Sequence, residues 1–304
     1  MRIALVTSRS FPEANWHDGD TPLVAEQLTA RGATAAVVTW DGDESVDWAG
    51  YDAVVLQSPW SMWRQEARFA AWLRARQAEG TRLLNPADAV ALGSDKRYLP
   101  RLGAAGVPIV PTLVVERPTA GELREAFPPA GSPRRTVVAK PVAAGGALGA
   151  REFTINELPQ LVAYAAELGT AIIQPYVHAI DTHRELGVLT LDGRVSHAIT
   201  KAAILRPGDA TRAFHPDPQP YRSFTPRQEQ VITRSYAALR GLLTREPLAV
   251  RLDFIIAPDS PAGLLLLEVE MVAPVKFFAH FPAECAAYAE AILARAGGVT
   301  PPRR

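Results

Sequence analysis

Cysteine is all but missing from this chain. Cys285 stands alone, which excludes an intrachain disulfide and a cysteine-built metal cluster. It falls in an alanine-rich helical stretch, where a buried structural thiol is the ordinary reading. An excess of either charge is missing too: Lys+Arg and Asp+Glu both count 32, and the net charge is zero. No basic field therefore advertises nucleic acid or an anionic membrane as a partner. No apolar run approaches the roughly 20 residues of a membrane span. The apolar start, Met1-Arg2-Ile3-Ala4-Leu5-Val6-Thr7, lacks the length and cleavage pattern of a signal peptide. These absences lead to the expectation of a cytoplasmic protein. His178, His183, His197, His215 and His280 fit no zinc-binding spacing. Of these, His197, on an alternating strand near Lys201, is the one suited to carry a proton. No serine-triad or reactive-cysteine signature is present, and there are no repeats or low-complexity tracts.

What the chain does have is a concentration of acids near its C-terminus. Val250-Arg251-Leu252-Asp253-Phe254 and Leu267-Glu268-Val269-Glu270-Met271 both alternate apolar and polar residues. On a strand, alternate side chains share a face, so Arg251 and Asp253 go together, as do Glu268 and Glu270. The turn formers of residues 258–263 predict an antiparallel hairpin. If the polar faces coincide, three carboxylates converge and repel unless protons or a cation neutralise them. All-oxygen ligation suits a hard ion such as Mg²⁺. The plainer alternative is a solvated edge-strand face, with Arg251 and Asp253 as a surface ion pair contributing little.

The 304 residues suffice for two or three subdomains. Within residues 1–95, strands at 3–7, 35–40, 53–56 and 82–84 alternate with a helix at 21–31 and another around Phe69 and Leu73. That order predicts a small, doubly wound parallel α/β domain, with binding loops at the strand ends 8–20, 40–43, 57–63 and 85–86. Trp60 and Trp63, set among hydroxyls in the third loop, read either as a substrate wall or as core or interface packing. Residues 96–175 read as a second unit: helix 96–105, strand 109–115, helix 122–127, strand 136–140, helix 157–168 capped by Asn156 and ended by Gly169, and strand 171–176. Residues 176–304 read as a more antiparallel unit. It has a hairpin turning at Asp192-Gly193, a long Pro/Gly-rich loop at 206–226, a helix at 228–243, the acidic hairpin, a helix at 283–296 and a frayed tail at 300–304.

Lys140 ends a strand and precedes Gly145, Gly146 and Gly149. An ammonium beside exposed backbone N–H groups suits polyphosphate, although no Gly-Lys-Ser/Thr follows as in a Walker A loop. Lys96, after Gly93-Ser94-Asp95, offers a second cation. A solvated lysine is the alternative for each, and a tight hairpin for the glycines. Lys201 and Arg212, near the long loop, either orient substrate or are surface cations.

Taken in order, Lys96, Lys140 with its glycine loop, Gln174-Pro175-Tyr176, Arg251-x-Asp253 and Glu268-x-Glu270 resemble the ATP-grasp superfamily of carboxylate–amine ligases over essentially the whole chain. The resemblance implies an ATP-grasp fold: the N-terminal α/β domain followed by two α+β lobes enclosing ATP. It implies that Lys96 and Lys140 approach the phosphates under a Gly145–Gly149 flap, and that Gln174, Pro175 and Tyr176 flank adenine. Asp181 or Glu185 would hold the ribose, Asp253, Glu268 and Glu270 would hold Mg²⁺, and Arg251 would contact the phosphoryl group in flight. The chain departs from the common pattern at Glu270, often asparagine, and at Ala147, often serine. Val46-Asp47-Trp48, Ser58-Pro59-Trp60, Leu84-Asn85-Pro86, Asp95-Lys96-Arg97-Tyr98-Leu99 and Ser196-His197-Ala198 are similar to the D-cycloserine synthetase branch of that superfamily. Gln57 and Ser61-Met62 stand where many members of that branch have arginine and Asp-Tyr, which removes a bidentate carboxylate clamp. The implied chemistry is ATP- and Mg²⁺-dependent activation of a small amino-acid-type carboxylate as an acyl phosphate, then closure to a linear or cyclic amide in specialised metabolism. A phosphotransferase or a non-catalytic nucleotide-binding module is the alternative. The partner is a small molecule, not nucleic acid or membrane, and a homo-oligomer is compatible with the sequence.

Overall fold

Side-chain alternation on three sheets explains where the core and the cleft of this protein lie. The computed structural model describes residues 1–42, 45–127, 136–205 and 214–298. The first sheet is parallel, in the order β2-β1-β3, with β1 Arg2–Thr7, β2 Thr34–Thr39 and β3 Ala53–Ser58. Ile3, Leu5 and Val55 face one core, shared with α1 (Asp20–Ala30); Ala4, Val6 and Leu56 face another, shared with Phe69 and Leu73 of α2 (Glu66–Ala78). The expected strand at 82–84 is only an isolated parallel bridge from Leu83 to Val54. Helices α3 (Ala87–Gly93) and α4 (Tyr98–Ala104) follow.

The second sheet is antiparallel, in the order β4-β7-β5-β6: β4 Leu113–Glu116, β5 Thr136–Pro141, β6 Arg151–Thr154 and β7 Thr170–Pro175. Pro108 and Pro111 break the expected longer strand at 109–115, because proline cannot donate to a ladder. Ile109 instead bridges to Leu266 alone. Helix α5 (Ala120–Ala126) is capped by Thr119 with Glu122. Helix α6 (Leu158–Glu167) follows a 3-10 turn that begins after Thr154, so the capping box is Thr154 with Glu157 rather than Asn156. Gly169, at φ +74°, releases the chain as expected. Val137 and Ala139 point to α5 and α6, while Val138 and Lys140, one residue out of phase, point into the cleft.

After α7 (Ala179–His183), the third sheet runs β10-β9-β8-β11-β12, all antiparallel: β8 Glu185–Leu191, β9 Arg194–Lys201, β10 Gln219–Tyr221, β11 Ala249–Ala257 and β12 Gly263–Glu270. Asp192 and Gly193 both take positive φ in the β8–β9 turn, the type I′ geometry that matches strand twist. Leu186, Val188, Val250, Leu252 and Phe254 bury against α4 and α8 (Pro226–Arg240). Each such side chain contributes roughly 1.5–3 kcal/mol. The opposite face carries the ionisable residues. The final helix, α9 (Pro282–Ala296), returns to the first sheet, where Tyr288 and Ile292 pack with Ile3, Leu5 and Leu28. Cys285 is buried in that contact, and burial pushes its thiol up to about 11, as suits a structural residue. Among the described residues no helix is long and apolar enough to cross a membrane.

Candidate active site

The inner faces of the second and third sheets bound a cleft of about 950 Å³, counting its open mouth. Its floor is the hairpin of β11 and β12, where Arg251 lies opposite Glu270 and Asp253 opposite Glu268, with a register shift just beyond Asp253. Arg251 donates from Nε to Asp253 Oδ1 at 2.7 Å and from Nη2 to Oδ2 at 2.8 Å, and its Nη1 donates to the Val275 carbonyl at 2.9 Å. Lys201 Nζ stands 2.8 Å from Glu185 Oε1 and 3.6 Å from Asp253 Oδ2. Arg251 and Lys201 are 2% exposed and Asp253 is fully buried, which disposes of the surface-pair reading and, for Lys201, of the surface-cation reading. Burial weakens the Arg251 charge, but Asp253 outweighs it and holds the proton above the ordinary arginine value. Burial raises the Glu185 carboxyl, with Lys201 opposing.

Toward the mouth, Lys96 Nζ donates to the Ala144 carbonyl and lies 3.5 Å from Glu268 Oε2. Burial lifts the Glu268 carboxyl, yet Lys96, then Lys140, Lys201 and Arg251 overcome it and hold it at about 2. Two groups are left short of counter-charge. Lys140 is held at about 8, first by burial and then by Lys96, despite Glu268. Glu270 is lifted to about 7 by burial and by Glu268, with Arg251 opposing. The convergent carboxylates expected from the alternating strands are therefore interleaved with bases, and Arg251, Lys201 and Lys96 neutralise most of their charge. Among the described residues no three His, Cys, Asp or Glu side chains form a group that would hold a metal by themselves.

The glycine loop closes the cleft from above. A Cβ on Gly145 would meet Trp63 Nε1 at 2.6 Å, and one on Gly146, at φ +58°, would meet Trp16 Cζ2 at 2.2 Å. Trp63 also lies under Lys96 Nζ, 5.9 Å from the ring centroid. Trp60 is buried and donates from Nε1 to the Ala273 carbonyl at 3.1 Å. The two tryptophans thus divide the readings left open by the sequence: Trp60 packs, and Trp63 walls the loop.

Gly145, Gly146, Gln174, Pro175, Tyr176 and Glu185 line the cleft, with Val110, Val138, Ile180, Ala203, Ile255 and Leu267 supplying apolar wall. Gly149 is not among the lining residues; it approaches Pro141 and turns the loop at φ +65°. Gln174 donates to Thr112 Oγ1 at 2.9 Å. Asp181 stands outside the lining, accepting from Tyr176 Oη at 2.6 Å. Arg212 falls outside the described residues. His197 also lies away from the cleft: its Nε2 meets the Lys276 carbonyl at 2.7 Å, and burial keeps its imidazole below the ordinary value. Sequence reasoning missed three residues. Lys276 is buried and donates from Nζ to Gln57 Oε1 at 2.9 Å, so a cation adjoins the position at which the resemblance led to the expectation of arginine. Trp16 and Phe214 stack at 4.9 Å beside the loop. No local pattern marks any of the three, because each gains its meaning from a distant segment.

Residues 3–85 match the model of the D-cycloserine synthetase DcsG N-terminal domain. The cycloserine biosynthesis protein DcsG of Streptomyces lavendulae is 33% identical over 281 residues, covering 90% of this chain and 91% of that protein. The crystal structure of D-cycloserine synthetase DcsG superposes with a TM-score of 0.86 at 30% identity, over 97% of this chain and all of that one. At the level of fold, the D-alanine–D-alanine ligase of Bacillus anthracis complexed with ATP gives 0.68 at 14% identity, over 98% of each chain. The ATP-grasp ligase PsnB with its minimal precursor, Mg and ADP gives 0.63 at 18%, over 97% of each. With one third of its residues shared across nine tenths of both chains, the protein belongs to the D-cycloserine synthetase family of ATP-grasp carbon–nitrogen ligases.

Proposed function

We propose that the cleft binds ATP and Mg²⁺ and that the enzyme activates the carboxylate of a small amino-acid-type substrate for attack by an amine, giving a linear or cyclic amide and ADP. The observation that carries this reading is that Lys96, Lys140, Arg251, Glu268 and Glu270 line one cleft together with the glycine loop. Burial holds Lys140 low despite Glu268 and lifts Glu270 despite Arg251, and a magnesium polyphosphate would supply further counter-charge to both. Mg²⁺ leans on one or two carboxylates plus substrate phosphates, so a preformed three-acid cage is not required. Glu268 and Glu270 would hold the ion, with Asp253 behind them. Of the two ribose candidates, Glu185 reaches the cleft and Asp181 does not.

When bound, ATP supplies the phosphoryl group that makes a carboxylate electrophilic. Lys96 and Lys140 offset the charge developing on the transferred group, and Arg251, fixed by Asp253 and the Val275 carbonyl, is preorganised against it. The loop at Gly145 and Gly146 keeps water from the activated acid. We place the enzyme in the cytoplasm, where ATP is supplied, and divide the chain into residues 1–95, 96–175 and 176–304 for substrate, nucleotide and metal.

Hydroxylamine trapping with ATP, Mg²⁺ and a panel of D- and L-amino acids tests the reading. An acid-dependent hydroxamate with matching ADP release is expected. Asp253→Asn should abolish it, and should also destabilise the fold by about 3–5 kcal/mol in thermal unfolding, because Arg251 and Lys201 lose their buried partner. A stable phosphorylated product without hydroxamate would replace the ligase with a phosphotransferase.

A further inference from the structure

His215 stands where the charged cleft meets its aromatic wall. It lines the cleft with Lys201, Arg251, Glu268 and Glu270. Among the described residues, Arg251 and His215 are the basic side chains that also reach the packed rings of Trp16, Trp60 and Phe214; Lys96, Lys140 and Lys201 do not. His215 therefore lies at the end of the cleft away from the lysines assigned to phosphate. Its backbone is held there under strain. His215 and Asp217 both take positive φ, +49° and +48°, a region that non-glycine residues rarely adopt. The chain just beyond is tethered to the third sheet: the Pro216 carbonyl accepts from the Ala202 backbone N–H at 3.0 Å, and Asp217 Oδ2 accepts from Arg184 Nη1 at 2.8 Å. The rings of Phe214 and Phe277 flank the imidazole, with centroids at 4.4 and 5.3 Å. Strain of this kind persists where the surroundings over-determine it, and it gathers at active sites.

Nothing in the fold uses the nitrogen so placed. Nδ1 of His215 is buried and has no hydrogen-bond partner among the described residues. A buried polar atom left unpaired is costly, and a ligand that pairs with it recovers the cost. Burial, then the charges of Lys201, Arg251 and His17, hold the imidazole well below its ordinary value, so the ring is neutral and one of its nitrogens carries a hydrogen. Lys201 and Arg251 draw anionic oxygen to this part of the cleft. The tautomer with its hydrogen on Nδ1 meets such an oxygen as a donor, whereas the other tautomer would oppose it with a lone pair.

We propose that His215 is a further catalytic residue of the ligase: its Nδ1–H donates to the carbonyl oxygen of the acyl phosphate and holds the negative charge that this oxygen gains as the amine attacks. The inference rests on the ligase reading and adds a residue to it. As the amine nitrogen bonds to the carbonyl carbon, the π pair of the C=O bond moves onto the oxygen beside Nδ1. The pair returns when the bond from that carbon to the phosphate oxygen breaks. Phosphate departs with the electrons of the broken bond and takes up the proton that the amine releases. The imidazole keeps its hydrogen throughout, so the task needs a neutral donor and no proton carrier. Such a donor acts on the second step, because in the first step the carboxylate gives up charge to the phosphoryl group.

Three variants of the full chain test the assignment. His215→Gly takes the same φ without strain, His215→Asn sets an amide N–H near the position of Nδ1, and His215→Gln sets one nearer Nε2. One readout is hydroxamate formed from hydroxylamine and the best acid of the amino-acid panel. The other is scrambling of a heavy-oxygen label out of the β,γ-bridge of ATP, with that acid and no amine, which reports carboxylate activation alone. His215→Gly should lower kcat for hydroxamate by about 10²–10³-fold, the range for one lost oxyanion donor, while scrambling and KM for ATP change far less. His215→Asn should regain about tenfold over His215→Gly, and His215→Gln should not. Equal losses in hydroxamate and scrambling, unchanged hydroxamate in His215→Gly, or His215→Asn no better than His215→Gly would each overturn the assignment and leave the ligase reading standing. Parent protein that binds ATP yet gives neither hydroxamate nor scrambling with any acid would overturn both.

Discussion

At the charged end of the cleft, the ionisable side chains come mostly from neighbouring strands of one sheet, and Glu185, Asp253 and Glu268 each have a base a few ångströms away. At the aromatic end, four rings arrive on segments around residues 16, 60, 63 and 214, and only the last of them belongs to the C-terminal half. The first end is organised by local periodicity and electrostatics, the second by tertiary folding and apolar contact. Electrostatic stabilisation of a transferring phosphoryl group demands fixed charges wherever the substrate varies. An aromatic wall can change its shape without disturbing them.

Removing a charge at the first end is the sharpest way to break that division. Lys140→Met should lower kcat/KM for ATP by roughly 10²–10³-fold, the range seen when one preorganised donor is lost, whichever acid is supplied. Its effect on the apoprotein has the opposite sign. Folded Lys140 titrates at about 8, below its ordinary 10.5. Below about pH 8 both the folded and unfolded chains carry the proton, so the fold bears the whole burial penalty. Above that, the folded state sheds its proton first, and the penalty fades as pH rises toward 10.5. The variant should therefore melt at a higher temperature than the parent at pH 7, with the gap closing toward pH 10.5; equal melting temperatures throughout would show that the charge is not penalised. Since phosphate would restore the proton to Lys140, ATP binding at pH 8.5 should take up protons. Calorimetry in two buffers of different ionisation enthalpy measures that uptake.

Gly146→Ala tests the seam between the two ends. The added methyl group would stand 2.2 Å from Trp16 Cζ2, at a φ of +58°, so loop and ring cannot both stay in place. A displacement of this size near reacting groups costs on the order of 10²-fold, and that loss is expected in kcat/KM for ATP and acid together. Pairing it with Trp16→Ala removes the clash but keeps the positive φ. Recovery of ATP kinetics without recovery of the acid would show that the ring serves the substrate while the loop serves the nucleotide.

What could be read from the sequence divides along the same line. The β11–β12 hairpin, with Arg251 and Asp253 facing Glu268 and Glu270, was legible because a period of two and a cluster of turn formers are local facts. The β8–β9 turn was legible for the same reason. The neutralisation of those acids by Lys201 and Lys96 was not, since it depends on which strands become neighbours. Trp16 and Phe214, almost 200 residues apart, have no shared pattern at all. Strand 82–84 and the longer strand at 109–115 failed where a bridge or a proline replaced a full ladder. The Asn156 cap failed because a 3-10 turn moved the helix entrance back to Thr154.

The smallest expected effect separates two acids that the sequence could not. Glu185 lines the cleft and is bonded to Lys201 at 2.8 Å, whereas Asp181 sits beyond the wall, with Tyr176 Oη at 2.6 Å and His178 Nδ1 at 3.6 Å. An exposed pair of that kind contributes about 0–1 kcal/mol, equivalent to about fivefold at most in an equilibrium. Asp181→Asn should therefore leave KM for ATP within about fivefold of the parent. Glu185→Gln should shift it further, because it strips a buried lysine of its nearest counter-charge as well as a potential ribose contact. Comparison of ATP with 2′-deoxy-ATP completes the assignment. Loss of discrimination between them in Glu185→Gln alone places the ribose at Glu185. The same loss in Asp181→Asn alone would mean that the cleft extends past Tyr176 when nucleotide is bound, and would move the ribose to the rim.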